Sequence, residues 1–119
     1  MGSGSDVLIA GFVLAGSGSK TLLIRAIGPT LGAFGVPDPL ADPKLELHAG
    51  GALLQANDDW GGSAELTAAF GRGGAFPLAV RASKDAALLV TLSPGAYTVQ
   101  VRGPAGTTGI ALVELYELP

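Results

Sequence analysis

A chain of 119 residues fits one domain with a core of its own, and without a single cysteine that core depends on packing rather than on disulfides. Seven lysines and arginines against ten aspartates and glutamates leave a net charge of -3, which excludes the basic stripe that nucleic-acid phosphates require and disfavours anionic membrane surfaces. Charged residues make up only 14% where soluble domains average about 25%, while 48% are apolar, so more apolar surface is present than one ordinary core covers.

Residues 1–5, Met1-Gly2-Ser3-Gly4-Ser5, have neither a basic nor an apolar leader region and read as a linker or tag ahead of one domain over 6–119. Val7 to Leu14 is a strand rich in Val, Ile, Leu and Phe, and Gly11 interrupts it well short of the ~20 residues that span a bilayer, so no membrane insertion is expected. Gly16-Ser17-Gly18-Ser19 is a flexible turn into the strand Lys20 to Ile27, and the two strands are expected to pair as a hairpin. Gly28-Pro29 ends the second strand, and Pro29 suits the start of a short helical turn. The connection through Phe34, Pro37, Pro39 and Pro43 then crosses between layers. Leu45 and Leu47 alternate with Lys44, Glu46 and His48 in the manner of a half-buried strand, and Gly50-Gly51 turns the chain into Ala52 to Ala56. Ser63 as N-cap, Glu65 in the first turn, and Leu66, Ala69 and Phe70 on one face predict a helix of about two turns. Ala86 to Leu92, Ala96 to Arg102 and Ile110 to Leu118 bring the count to about seven or eight strands. The fold class is all-β: a two-layer antiparallel β-sandwich, jelly-roll-like, with one short helix.

Strand faces add to this. Tyr97, Val99 and Val101 alternate with Thr98, Gln100 and Arg102, so that strand has one core face and one wet face. The first strand has no wet face, since Val7, Ile9 and Val13 on one side and Leu8, Phe12 and Leu14 on the other are all apolar. The last strand is similar, with Ile110 and Leu112 against Val113 and Leu115. Such strands need cover on both sides, from the chain's own loops and helix or from a neighbouring module or subunit. Val7, Ile9, Phe12, Leu14, Ile110 and Leu112 are therefore the candidate assembly residues.

The chemistry-bearing residues are few. Asn57, Asp58 and Asp59 in a Gly-flanked turn cluster the oxygen donors of which Ca²⁺ takes roughly six to eight, with Asp85 or Asp42 available to complete the shell. The competing use of this turn is an Asx-turn whose carboxylates accept from backbone amides. Trp60 offers a stacking platform for a sugar or peptide, or else a plug at a sandwich edge. His48, the only histidine, falls on the polar side of its strand, and a single imidazole is a poor metal site and a poor base. Arg25 among apolar neighbours must pair with a carboxylate such as Glu114 or Asp42. Gly16-Ser17-Gly18-Ser19-Lys20-Thr21 lacks the Gly-Lys-Thr order of a phosphate loop and joins two strands. With no cysteine nucleophile, no nucleophile elbow and no convergent acid and base, the chain reads as non-catalytic.

Four segments carry a family resemblance: Asp42-Pro43-Lys44-Leu45-Glu46-Leu47, Ala56-Asn57-Asp58-Asp59, Asp85 to Leu92, and Pro94-Gly95-Ala96-Tyr97-Thr98-Val99-Gln100-Val101. A strand, an Asn-Asp-Asp turn, an Asp-led strand and a Gly-x-Tyr hairpin in this order resemble the bacterial pre-peptidase C-terminal (PPC-like) domain over the last two thirds of the chain. The whole chain also resembles repeat modules of large secreted bacterial proteins. The resemblance implies a jelly-roll sandwich at a secreted or cell-surface location, with two candidate roles. One is a structural module that packs against, or adds strands to, neighbouring modules or further copies of itself. The other is a calcium-dependent module for carbohydrate or matrix. The chain departs from the pattern at its start, where Gly-Ser linker stands in place of a short strand-like segment before Val7. An unpaired edge beside apolar faces is a template for strand addition.

Overall fold

The structure, a computed structural model, describes residues 7–61, 64–76, 78, 84–103 and 109–118. Its elements run β1 (Val7–Leu14), β2 (Lys20–Ile27), a 3₁₀ helix (Pro29–Phe34), β3 (Lys44–Ala49), β4 (Ala52–Asn57), α1 (Ala64–Gly73), β5 (Ala86–Leu92), β6 (Gly95–Arg102) and β7 (Leu112–Leu118). A four-stranded sheet in the order β1-β6-β3-β4 faces a three-stranded sheet in the order β5-β2-β7, and every neighbouring pair is antiparallel. This is the expected β-sandwich with its short helix. Ser63, the expected N-cap of α1, lies outside the described residues.

The hairpin expected between β1 and β2 does not form. β1 pairs with β6 in one sheet, and β2 pairs with β5 and β7 in the other. Gly16 and Gly18 take φ of 106° and 131°, so the connection crosses between layers where a tight reversal within one sheet was expected. Gly50 and Gly51, with φ of 56° and 90°, do close the β3–β4 hairpin.

β2 is the strand that is sealed on both sides. Leu22, Ile24 and Ala26 point between the sheets, where they pack with Leu45, Leu47, Leu88, Val90, Val99 and Val101. Leu23 and Ile27 point the other way, into a second cluster with Leu31, Trp60, Ala69, Phe70, Leu78, Ala87 and Leu118. The 3₁₀ helix supplies Leu31 and α1 supplies Ala69 and Phe70, so these short elements are the lid of the three-stranded sheet. Within the chain double burial is found at β2, while β1 and β7, whose two-sided apolar pattern calls for cover from the chain or from a neighbour, keep exposed apolar side chains.

Between Leu23 and Ile27, on the same outer face, sits Arg25 with no exposed surface. Its Nε donates to Glu114 Oε1 at 2.8 Å, its Nη1 donates to the Phe76 carbonyl at 2.7 Å, and its Nη2 approaches the same Glu114 oxygen at 2.7 Å. The guanidinium carbon lies 4.7 Å from the Phe70 ring centroid and 4.4 Å from that of Phe76, so aromatic faces replace the water that the cation has lost. Glu114 stands directly opposite Arg25 in the β2–β7 ladder, which is why Glu114, and not Asp42, is the partner.

Asp85 is the second buried charge, also without exposed surface. Its Oδ1 accepts from Gly28 N at 2.8 Å and Thr30 N at 3.2 Å, and its Oδ2 accepts from the Thr30 hydroxyl. It thereby caps the 3₁₀ helix from a distant part of the chain, a role the local sequence leaves to Gly28, which has no side chain to do it. Gly28 is needed for space: a Cβ there would lie 2.1 Å from the Leu40 carbonyl oxygen.

Truncating one member of the Arg25–Glu114 pair strands a buried charge. Glu114→Ala is expected to lower unfolding stability by roughly 3–5 kcal/mol in chemical denaturation. Arg25→Met with Glu114→Leu is expected to recover most of that loss, and equal destabilisation of the single and double variants would refute the pairing.

Candidate functional site

The two long sides of the sandwich differ. On one side β4 and β5 are tied across the layers, because Asn57 at the end of β4 places its Oδ1 3.1 Å from the backbone N of Ala87, which donates to it. On the other side lie β1 and β7, each an outer strand of its sheet. Between them runs an open groove of about 390 Å³ whose walls include Phe12, Leu14, Leu22 and Leu115.

The β1–β6 register assigns the faces of β1. Leu8, Ala10, Phe12 and Leu14 stand opposite Val101, Val99, Tyr97 and Gly95, so they point between the sheets; Ile9, Gly11 and Val13 point outward. Phe12 stacks on Tyr97 with centroids 5.4 Å apart, and Phe12 and Leu14 pack against the inter-sheet core. Leu8 faces inward yet is 45% exposed, and Leu115 across the groove is 38% exposed. On the outer face, Ile9 is 60% and Val13 74% exposed. The first strand thus offers apolar side chains in both directions.

Of the remaining candidate assembly residues, Val7 opens β1 opposite Arg102. Ile110 precedes β7 and pairs by its backbone with the Asp38–Leu40 connection, while Leu112 opens β7 on the outer face; they are 47% and 42% exposed. Leu115 and the Lys20–Glu117 ion pair, 2.7 Å long at one end of the groove, complete the site. Their placement follows from the register of β7 on β2, which no local pattern announces.

The residues proposed for a metal separate. Asp42, Asp58 and Asp59 come together, with one carboxylate oxygen from each lying within 4.8 Å of the others. Asn57 and Asp85 do not join them. Asn57 is the last residue of β4 and turns toward β5, and Asp85 is spent on Gly28 and Thr30. Burial, a hydrogen bond with Asp58 and the Asp58 charge push the Asp42 carboxyl above the ordinary aspartate value, against the pull of Lys84.

Trp60 is 4% exposed and lies 5.3 Å from Phe70 between ring centroids. It plugs the core beneath α1, so no face is left for a ligand to stack on. His48 lies on the polar, outer face of the four-stranded sheet, as its strand pattern indicates; its side chain is 16% exposed and its Nε2 lies 3.0 Å from Glu46 Oε1. That bond, followed by the Arg102 and Lys44 charges, holds the Glu46 carboxyl below the ordinary glutamate value despite its burial. No protein-family model matches the chain, and no curated protein is significantly similar to it.

The two perturbed carboxylates act on stability with opposite signs. Asp42, shifted up, favours folding fully below 3.8 and loses that contribution as pH rises through its folded value. Glu46, shifted down, favours folding above 4.5 and loses its contribution as pH falls through its folded value. Thermal melts of Asp42→Asn are therefore expected to exceed wild type near neutral pH and to converge on it in acid. Glu46→Gln is expected to melt lower near neutral pH, again converging in acid.

Proposed function

We propose that this chain is a non-catalytic structural module of a secreted or cell-surface bacterial protein, which assembles by packing and strand addition at the β1–β7 side of its sandwich. The observation that carries the reading is β1 itself, a strand that among the described residues is paired on one side only, with Leu8, Ile9 and Val13 exposed at 45%, 60% and 74%. Shortage of charge supports it, since a surface meant to stay apart in solution is normally richer in ionic groups than this one. The ionisable groups support it as well. Glu46 is shared by Lys44, His48 and Arg102 on an open sheet face, and Arg25 and Asp85 are consumed by the fold. The extracellular placement rests on the likeness to PPC-like domains and secreted repeat modules. No helix among the described residues is long and apolar enough to cross a membrane.

Light scattering across a dilution series tests this reading. The mean mass is expected to rise above that of one 11.8 kDa chain as concentration increases, and a monodisperse monomer throughout would refute it.

The convergence of Asp42, Asp58 and Asp59 favours a second reading, a calcium-dependent module for carbohydrate or matrix. Three carboxylates give part of a calcium shell, with backbone carbonyls and water left to complete it. Calcium bound only by the folded chain raises the melting temperature, by mass action, and chelator reverses the gain. On this reading Asp42→Asn abolishes the response; equal melts with calcium and chelator would end it.

A further inference from the structure

We propose that the groove beside β1 is filled by a second copy of this chain. The two copies lie with β1 antiparallel to β1 about a two-fold axis through Gly11, joining two four-stranded sheets into one continuous layer. This rests on the assembly reading above and specifies its partner and geometry.

β1 is the edge suited to it. β5 is tied to the β4–α1 connection, since Ala87 N donates to Asn57 Oδ1 at 3.1 Å and Trp60 N to the Asp85 carbonyl at 2.9 Å. β7 carries Glu114 and Glu117, and charge on an edge strand discourages pairing. The β3–β4 ladder shifts register between Leu47 and His48, an irregularity of the kind that twists an edge away from partners. β1 has none of these protections. It contains no ionisable residue and no proline, and its register with β6 is unbroken over eight residues.

Charge selects the occupant. A second copy carries the same net charge of -3, and a seam without unpaired ionic groups is where two such copies meet with least repulsion. The charged groups in the groove wall are Lys20 and Glu117, which neutralise each other at 2.7 Å. Two copies therefore bring no like charges together, whereas a charged ligand finds no unpaired counter-charge there.

Parity then fixes the register. Residues directly opposite in a sheet share a face, so a two-fold pairing of identical strands must set one residue opposite itself. Near the middle of β1 the choices are Ala10 and Gly11. Through Ala10, Ile9 would face Gly11 and meet no side chain. Through Gly11, Ile9 of each copy faces Val13 of the other on the outer side, and Leu8 faces Leu14 on the inner side. These pairs cover the side chains that are 60%, 74% and 45% exposed in the single chain.

The chain has no cysteine, so single cysteines report contacts cleanly. Gly11→Cys is tolerable because a Cβ there meets the Tyr97 carbonyl oxygen at 3.9 Å, an ordinary contact. On oxidation Gly11→Cys is expected to form disulfide-linked dimers. Ile9→Cys and Val13→Cys are expected to link when mixed and not separately. In parallel, Val13→Lys is expected to weaken the dimer roughly tenfold or more, and Leu53→Lys on β4 to leave it unchanged. Melting curves confirm that each variant is folded. If wild type associates but Gly11→Cys links only with Leu53→Cys, or with nothing, the two-fold pairing is overturned and assembly stands. If wild type is monomeric throughout, both readings fall.

Discussion

Ordering a strand with apolar side chains on both faces obliges the rest of a protein to shield it twice, and β2 imposes that obligation here. Leu22, Ile24 and Ala26 are shielded by the opposing sheet, which any sandwich provides. Leu23, Arg25 and Ile27 require a second lid, and the 3₁₀ helix, α1 and the Phe76 segment form it. The fit of that lid turns on a cation. Arg25 is tolerated there because the Glu114 carboxylate, the Phe76 carbonyl and the rings of Phe70, Phe76 and, at 6.0 Å, Tyr116 surround it. Asp85 holds the edge of the same lid by gripping the first turn of the 3₁₀ helix.

The thoroughness of this shielding contrasts with the far side of the molecule. Near β4 and β5, Asn57 accepts from the Ala87 backbone N in β5, and Trp60 N donates to the carbonyl of Asp85 just before it. At β1 and β7 the layers part, and the Lys20–Glu117 pair closes one end. The sandwich is thus finished on one side and apolar on the other. Among the described residues the buried charges, Arg25 and Asp85, sit under the lid of the three-stranded sheet, and the charges lining the groove on the other side, Lys20 and Glu117, pair with each other.

Much of this was legible from residue order. The alternation in Leu45-Glu46-Leu47 and in Tyr97 to Arg102 assigns faces that the ladders reproduce, with Leu45, Leu47, Val99 and Val101 buried. An arginine between Ile24 and Ala26 announces an ion pair, and Glu114 was one of its two named partners. What failed is informative. Gly16 to Ser19 marks a change of direction, but flexible glycine turns do not encode which sheet the next strand joins. A two-sided apolar strand looks buried whether it lies at the centre, as β2 does, or at an edge, as β1 does; its position is decided by pairing with β6, remote in sequence. The contiguous Asn57-Asp58-Asp59 looks like one ligand set, yet Asn57 still belongs to a strand and turns toward β5, while Asp58 and Asp59 leave it. Trp60 follows them into the core, where hydrophobic burial overrides its closeness to an acidic surface turn.

The connectivity also bears on how the chain is made. Both neighbours of β2 lie in the second half of the sequence, at Ala86–Leu92 and Leu112–Leu118, and β1 must await β6 at Gly95–Arg102. The β3–β4 hairpin is the one ladder in the first half that can close early. During synthesis β1, which has no ionisable residue, and β2, whose Lys20 and Arg25 await Glu117 and Glu114, both precede their native partner strands, and non-local β topologies of this kind fold slowly. The sandwich can close around β2 only after β7 has been made, so the order of synthesis sets the order in which its two layers can meet.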